Sequence, residues 1–242
     1  NLAGETDTIF KLLDNALKPY LAEKSASVEE RYSHVAAHNK KERTTRDNLV
    51  DSANAGPIGK PWLSYCLGAL ANKYNGKITS ELTTLPQFAN FIQPESYYQE
   101  ALSGGLGEAF PIALGLQLAN RDELVIAAVG DGSYLFSNPA VCHHIAEVMK
   151  LPVLVVVGNN AGWGAVAGGT LALYPDGYAA KMDKVPATSF TLSPDLAAIA
   201  ASSRAAAMKV DRAEDLLDTL EEAVNIIRTQ KRSVLVDVIL GK

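Results

Sequence analysis

"GDGSYLFSNP", residues 130–139, follows the apolar run Val125-Ile126-Ala127-Ala128-Val129. Five apolar residues with no polar alternation are the pattern of a strand covered on both faces, as in a parallel sheet. Such a strand, ending in an aspartate between two glycines, sets a carboxylate and bare backbone at the carboxyl edge of the sheet. Ligands of open parallel sheets collect along that edge. Downstream, Asn138 reads as an N-cap with Pro139 at the first helical position, so a helix is expected over 138–149.

A short turn at Leu151-Pro152 then leads into a second apolar run, "VLVVV" at 153–157, which ends in "GNNAGWG" at 158–164. About 26 residues separate Gly132 from Asn159, the length that one strand-helix-strand crossover requires. Asp131 and the Asn159-Asn160 pair are therefore expected side by side. Further strands read at 77–80, 206–210 and 234–240, and helices at 57–74, 105–119, 195–203 and 213–229. This alternation predicts an α/β fold, doubly wound, with a mainly parallel sheet and helices on both faces.

The N-terminal part reads differently. Residues 1–35 carry Ile9, Phe10, Leu12, Leu13, Leu17, Tyr20 and Leu21 at helical spacing, whereas "AAHNKKERTTRDNLVDSANAG" at 36–56 is polar and weakly periodic, the mark of a linker. The division expected is a helical remnant at 1–35, a linker at 36–56 and one α/β domain at 57–242.

With 242 residues, 48% of them hydrophobic and 20% charged, the chain has the makings of a substantial core. A net charge of −5 argues against nucleic acid or an anionic membrane as partner, since no basic excess exists to neutralise phosphates; Lys40-Lys41-Glu42-Arg43 reads as a solvated run. Cys66 and Cys142 form no CxxC, which suggests neither a disulfide framework nor a zinc cluster and fits a reducing, cytoplasmic compartment. No apolar stretch reaches transmembrane length and no signal-peptide pattern opens the chain. Asn1 stands where a methionine would, so a processed chain or a piece of a longer one is expected.

A pocket between the two strand ends would hold one carboxylate, one or two amide oxygens, glycine backbone and a helix N-terminus. Hard oxygen donors of this kind suit Mg²⁺, which shares its shell with phosphate and water. Exposed backbone N–H groups suit an anion. Asp-Gly and Asn-Asn are each ordinary turn or loop pairs. Their joint placement on neighbouring strand ends is what points to a magnesium-bridged diphosphate.

These residues resemble the thiamine diphosphate (ThDP)-dependent enzymes, whose signature is GDG, a spacer of this length, and NN. "SGGLGEAFPIALGLQLA" at 103–119 resembles the cofactor-facing loop and helix of acetolactate synthase-like and benzoylformate decarboxylase-like members, and "LPVLVVVGNNAGWGAV" resembles their second strand and loop. The resemblance covers roughly 57–242, the diphosphate-binding (PP) domain, and residues 1–35 look like the tail of the family's central domain. It implies Mg²⁺ held by the Asp131 carboxylate, the Asn160 amide oxygen and the Gly162 carbonyl. It implies diphosphate contacts from Gly132 and Ser133, and more loosely from Thr83 and Thr84 in "SELTTL". Gly104 would offer a carbonyl to the aminopyrimidine, Leu106 would be the apolar wedge beneath the cofactor, and Trp163 would contact the cofactor region.

Other readings compete at several of these positions. "GGLGEAF" could be a dinucleotide fingerprint, but Phe110 stands where a third glycine is needed and no clear strand precedes Gly105. Trp163, Ala165 and Val166 read equally as a substrate-facing wall or as packing at a helix start. His143 and His144, about 100° apart on a helix, cannot chelate one metal together and read as structural. "YPDGY" at 174–178 is a turn, although in related sequences this segment lies over the cofactor.

The resemblance further implies a 2-oxo acid substrate and a lyase or transferase activity, either decarboxylation or acetolactate-type carboligation. In the family, the glutamate that activates the cofactor resides on a pyrimidine-binding (PYR) domain, usually of a partner subunit. No such domain is found in these 242 residues, and Glu81 and Glu108 do not take that position. No catalytic residue is therefore assigned. A PYR-bearing chain or a missing N-terminal part is expected to complete a homo- or hetero-oligomer, and this chain alone to bind Mg²⁺ and ThDP weakly without turnover. Val166, where some decarboxylases carry an acidic relay, leans toward sites shaped by apolar side chains. A non-catalytic ThDP-binding or regulatory subunit is the alternative.

Overall fold

The computed structural model describes residues 4–99 and 104–241, apart from the side chains of Ala22 and Glu23; Ser103, at the head of the glycine loop, lies outside the described residues. The chain divides into two compact units, residues 1–48 and 49–242. The first comprises helix α1, Thr6–Glu23, and most of α2, Ser25–Ser52. Residues 36–52, expected to be linker, are thus helical, and the irregular stretch shrinks to 53–59. Ala36, Ala37, Lys40, Lys41, Glu42, Arg43 and Arg46 are good helix formers. Being polar all round, the stretch offers no apolar period to read. Thr44 and Thr45 turn their hydroxyls onto the Lys40 and Lys41 carbonyls instead.

The second unit begins with α3, Lys60–Tyr74, and continues through β1, Lys77–Glu81; α4, Pro86–Ala89; β2, Tyr97–Gln99; α5, Ala109–Ala119; and β3, Val125–Gly130. Then come α6, Asp131–Phe136; α7, Pro139–Met149; β4, Leu154–Asn159; α8, Gly164–Leu173; α9, Leu196–Ala201; β5, Ala206–Val210; α10, Ala213–Gln230; and β6, Val234–Ile239. The six strands form one sheet in the order β2-β1-β3-β4-β6-β5, and every pairing is parallel.

Alternate residues of each strand feed two separate cores. Ile126, Ala128, Leu154, Val156, Val234 and Val236 pack with α3 and α10, while Val125, Ala127, Val129, Val153, Val155 and Leu235 pack with α5, α7 and α9. Over the central strands β3 and β4 both faces are covered, which is why these carry no polar alternation. Each fully buried Leu or Ile side chain contributes about 2 kcal/mol of transfer free energy.

Several short elements depart from the reading. The strand β2 was not expected: it is three residues long, polar and at the sheet edge, and it does stand upstream of the glycine loop, so only Phe110 still speaks against a dinucleotide fingerprint. The helix expected from 105 begins at Ala109, because Gly104 and Gly107 take positive φ values of 65° and 87° and keep 104–107 as a turn. Helix α6 starts at Asp131 itself, so the acidic residue opens a helix rather than sitting in a loop. Asn138 does precede the next helix, yet it is left-handed, with φ 54°, and its side chain makes no capping bond. "YPDGY" is a turn, closed by the Gly177 N–H on the Tyr174 carbonyl at 3.0 Å.

His143, on α7, is buried against α5 and α6, its Nε2 2.9 Å from the Tyr134 hydroxyl and its ring edge-on to Phe110, whereas His144 is exposed. Burial pushes the His143 imidazole down to about 4 from an ordinary 6.5. The unfolded chain therefore binds the extra proton throughout that window, so stability is full above pH 6.5 and falls as the pH drops toward 4. We expect the unfolding free energy of the wild type, measured by urea titration, to fall by about 2 kcal/mol between pH 7 and pH 5, and that of a His143→Gln variant to fall clearly less.

Candidate functional site: a cavity at the carboxyl ends of four strands

The parallel register fixes the site. Gly130 pairs with Gly158 across β3 and β4, so Asp131 and Asn159-Asn160 leave the sheet next to each other. A cavity of about 250 Å³ opens over this edge. It is lined by the segments at the carboxyl ends of β1 (Leu82, Thr83), β3 (Gly130 to Ser133), β4 (Gly158, Asn160, and Gly162 to Val166) and β6 (Leu240). Lys60, at the start of α3, and Leu106, in the turn before α5, complete the wall.

Asp131 is buried at the centre of this arrangement. Its Oδ1 accepts the Gly132 N–H at 2.8 Å and its Oδ2 the Gly162 N–H at 3.0 Å. Burial raises its carboxyl above the ordinary range, and these backbone donors pull it back only in part. A positive charge close by would relieve that desolvation.

Asn160 supplies the second group. One terminal atom of its amide lies 2.8 Å from the Gly162 carbonyl oxygen and 3.2 Å from Asp131 Oδ1. With oxygen at that position, three acceptors converge and the Asn160 oxygen itself faces no donor. With nitrogen there, the amide donates to both. A hard divalent ion selects the first orientation, because it turns three mutually repelling oxygens into ligands; the set of carboxylate, amide and backbone carbonyl fits such an ion. Among the described residues no cluster of three His, Cys, Asp or Glu side chains offers another metal site.

Asn159 has a different task. Its amide donates to Asp237 on β6 at 2.9 Å and its oxygen accepts the Ala161 N–H at 3.0 Å, so it ties the loop to the sheet and does not face the cavity. Ala161, left-handed with φ 56°, then reverses the chain. Residues 161–163 are pinned by the segment 188–190, through Trp163 N–H on the Thr188 carbonyl at 2.7 Å and Phe190 N–H on the Ala161 carbonyl at 2.9 Å. A Cβ at Gly162 would lie 2.2 Å from the Thr188 oxygen, so only glycine fits.

The other expected residues divide. Thr83, Leu106, Gly132, Ser133 and Trp163 all line the cavity, together with Asp131, Asn160 and Gly162. The Gly132 N–H, however, is already given to Asp131. Trp163 is wedged edge-on between Phe136 and Phe190, at ring distances of 5.4 and 5.0 Å, so it serves packing as well as the wall; Ala165 and Val166 form the wall beside it. Thr84 is buried outside the cavity, its N–H donating to Ser80 Oγ at 3.1 Å. Gly104 does not reach the cavity either.

Two residues were missed. Glu81, fully buried at the end of β1, accepts the N–H groups of Gly107, Glu108 and Ala109 at 2.7, 3.0 and 3.2 Å. It caps α5 from another element, where the helix lacks a capping side chain of its own. By holding 107–109 it also sets the position of Leu106. Lys60 faces the cavity rim and donates to the Leu82 carbonyl at 3.0 Å.

A twisted parallel sheet whose strand-end loops enclose an oxygen-lined, glycine-rich cavity places the protein in the class of α/β domains that bind a phosphate-bearing ligand at the carboxyl edge. The family model "Thiamine pyrophosphate enzyme, C-terminal TPP binding domain" matches residues 79–238, and the chain belongs to this family. It is 30% identical over 135 residues to acetolactate synthase 2 (chloroplastic) of Brassica napus, covering 56% of this chain and 21% of that protein. It is 32% identical over 114 residues to benzoylformate decarboxylase of Pseudomonas aeruginosa, covering 46% and 21% respectively. In fold it matches a thiamine diphosphate-dependent 4-hydroxybenzoylformate decarboxylase of Rhodococcus jostii, with a TM-score of 0.61 and 24% identity, over 77% of this chain and 33% of that one. The matches thus span about a fifth of these curated relatives. Among the described residues no helix is long and apolar enough to cross a membrane.

Proposed function

We propose that this chain is the diphosphate-binding portion of a Mg²⁺- and ThDP-dependent enzyme acting on 2-oxo acids, by decarboxylation or by acetolactate-type carboligation. The observation that carries this reading is the convergence of the Asp131 carboxylate, the Asn160 amide and the Gly162 carbonyl on one point of the cavity. Membership of the family and likeness to synthases and decarboxylases support it.

ThDP, when bound, supplies a carbanion nucleophile and an electron sink for bond cleavage next to a carbonyl. Asp131, Asn160 and Gly162 would hold the metal that anchors the diphosphate, and the Ser133 hydroxyl would offer a donor to the same tail, as would that of Thr83 once it left the Glu81 carbonyl, to which it donates at 3.3 Å. Leu106, Ala165 and Val166 give an apolar wall that excludes water from the reacting end. Asp131 and Lys60 are the only titratable side chains lining the cavity among the described residues, and the reading commits the first to metal. The activating glutamate therefore comes from a PYR domain outside these residues, in an oligomer that brings the two together.

The test is a product assay with a panel of aliphatic and aromatic 2-oxo acids, pyruvate first, on the complete assembly with Mg²⁺ and ThDP, beside this chain alone. Acetaldehyde would mark a decarboxylase and acetolactate a carboligase, with neither formed by the chain alone. Turnover by the isolated chain would refute the need for a second domain, and an assembly that bound ThDP but transformed no 2-oxo acid would refute the reaction class.

A further inference from the structure

Lys60 occupies the first helical position of α3, where its charge opposes the positive end of the helix dipole and no acidic residue stands in the first turn to offset it. A local preference broken at the rim of a cavity is a mark of function. The side chain is exposed as a whole, yet its Nζ is drawn in to the carbonyl of Leu82, a cavity residue with φ 58°, directly before Thr83. It is also the only cationic side chain lining the cavity among the described residues.

A diphosphate brings more negative charge than one divalent ion offsets, especially when that ion also neutralises the Asp131 carboxylate. Ser133 and Thr83 contribute neutral hydroxyls only. We infer that Lys60 is a further diphosphate-binding residue, whose ammonium group pairs with the phosphoryl oxygens left uncovered by the metal. This inference rests on the cofactor reading above and adds a residue that the GDG and NN signature does not contain. The bond to Leu82 holds the ammonium at the rim, ready to exchange one acceptor for a stronger, charged one.

The test is calorimetric titration of the chain, saturated with Mg²⁺, with inorganic pyrophosphate and separately with ThDP, for the wild type, Lys60→Gln and Lys60→Arg. Lys60→Gln should weaken both ligands about tenfold, the effect of losing one charged hydrogen bond, and Lys60→Arg should restore most of the affinity. Thermal melting without ligand should be the same for all three, since the side chain is exposed. Equal affinity of wild type and Lys60→Gln would overturn the inference and leave the cofactor site standing. A wild type that bound neither ligand would overturn both.

Discussion

Asp131→Ala should reduce the Mg²⁺-dependent affinity for ThDP by a hundredfold or more in a calorimetric titration. Losing a group that merely supports a ligand typically costs roughly ten- to a hundredfold, and Asp131 supplies the only charge in the oxygen set. The same carboxylate also accepts the Gly162 and Gly132 N–H groups, so alanine removes two loop contacts along with the charge. Asp131→Asn separates these effects: it retains an acceptor and the side-chain volume while abolishing the negative charge. It keeps one of the two backbone bonds and turns its amide nitrogen onto the other donor, so it should melt below the wild type, and it should share the loss of metal dependence. Equal, metal-independent binding by the wild type and both variants would mean that ThDP is not anchored here.

The second large effect concerns stability. Glu81→Gln should destabilise the fold by about 3 kcal/mol in urea unfolding, because an amide nitrogen then faces backbone donors in a fully buried site and charge-assisted bonds to α5 are lost. Hydrogen exchange should localise the damage, with protection falling first at the amides of Gly107, Glu108 and Ala109. A variant as stable as the wild type, with unchanged exchange at those three amides, would show that the α5 terminus is held by other means. The binding consequence stems from the position of Leu106. With 107–109 released, the apolar wall loosens, and ThDP should bind more weakly even though no metal ligand has changed.

The sheet was legible because its central strands β3 and β4 are buried on both faces. Runs such as 125–129 and 153–157 have no exposed face to interrupt them, and their spacing leaves room for one crossover helix. The register then brings Asp131 beside Asn160 with no further information. The elements that escaped the reading lack such a signal. Residues 36–52 are helical without an apolar stripe, and β2 is too short and polar to show a period. Helix α8, "GAVAGGTLAL", is apolar with no buried residue, so it offers no amphipathic face either.

The same contrast runs through the site. Asp131, Asn160 and Gly162 stand in contiguous motifs, and sequence alone brings them to one edge. The capping role of Glu81 depends on residues 107–109, a contact made only in three dimensions; its one trace in the sequence is an acidic residue ending a short strand. Thr84 shows the limit of a loose motif. One position past a cavity residue, it turns inward and contributes its N–H to Ser80.

The central proposal is that a single divalent ion sits between the loops after β3 and β4 and bridges them to a diphosphate. Crystals grown with ThDP and Mn²⁺ in place of Mg²⁺ test this directly through the anomalous signal of the manganese. The expected result is one peak roughly 2.0–2.3 Å from a carboxylate oxygen of Asp131, the amide oxygen of Asn160 and the carbonyl oxygen of Gly162, with phosphate oxygens completing the shell. A peak elsewhere, or ThDP seated in the cavity with its diphosphate away from these three oxygens, would contradict it.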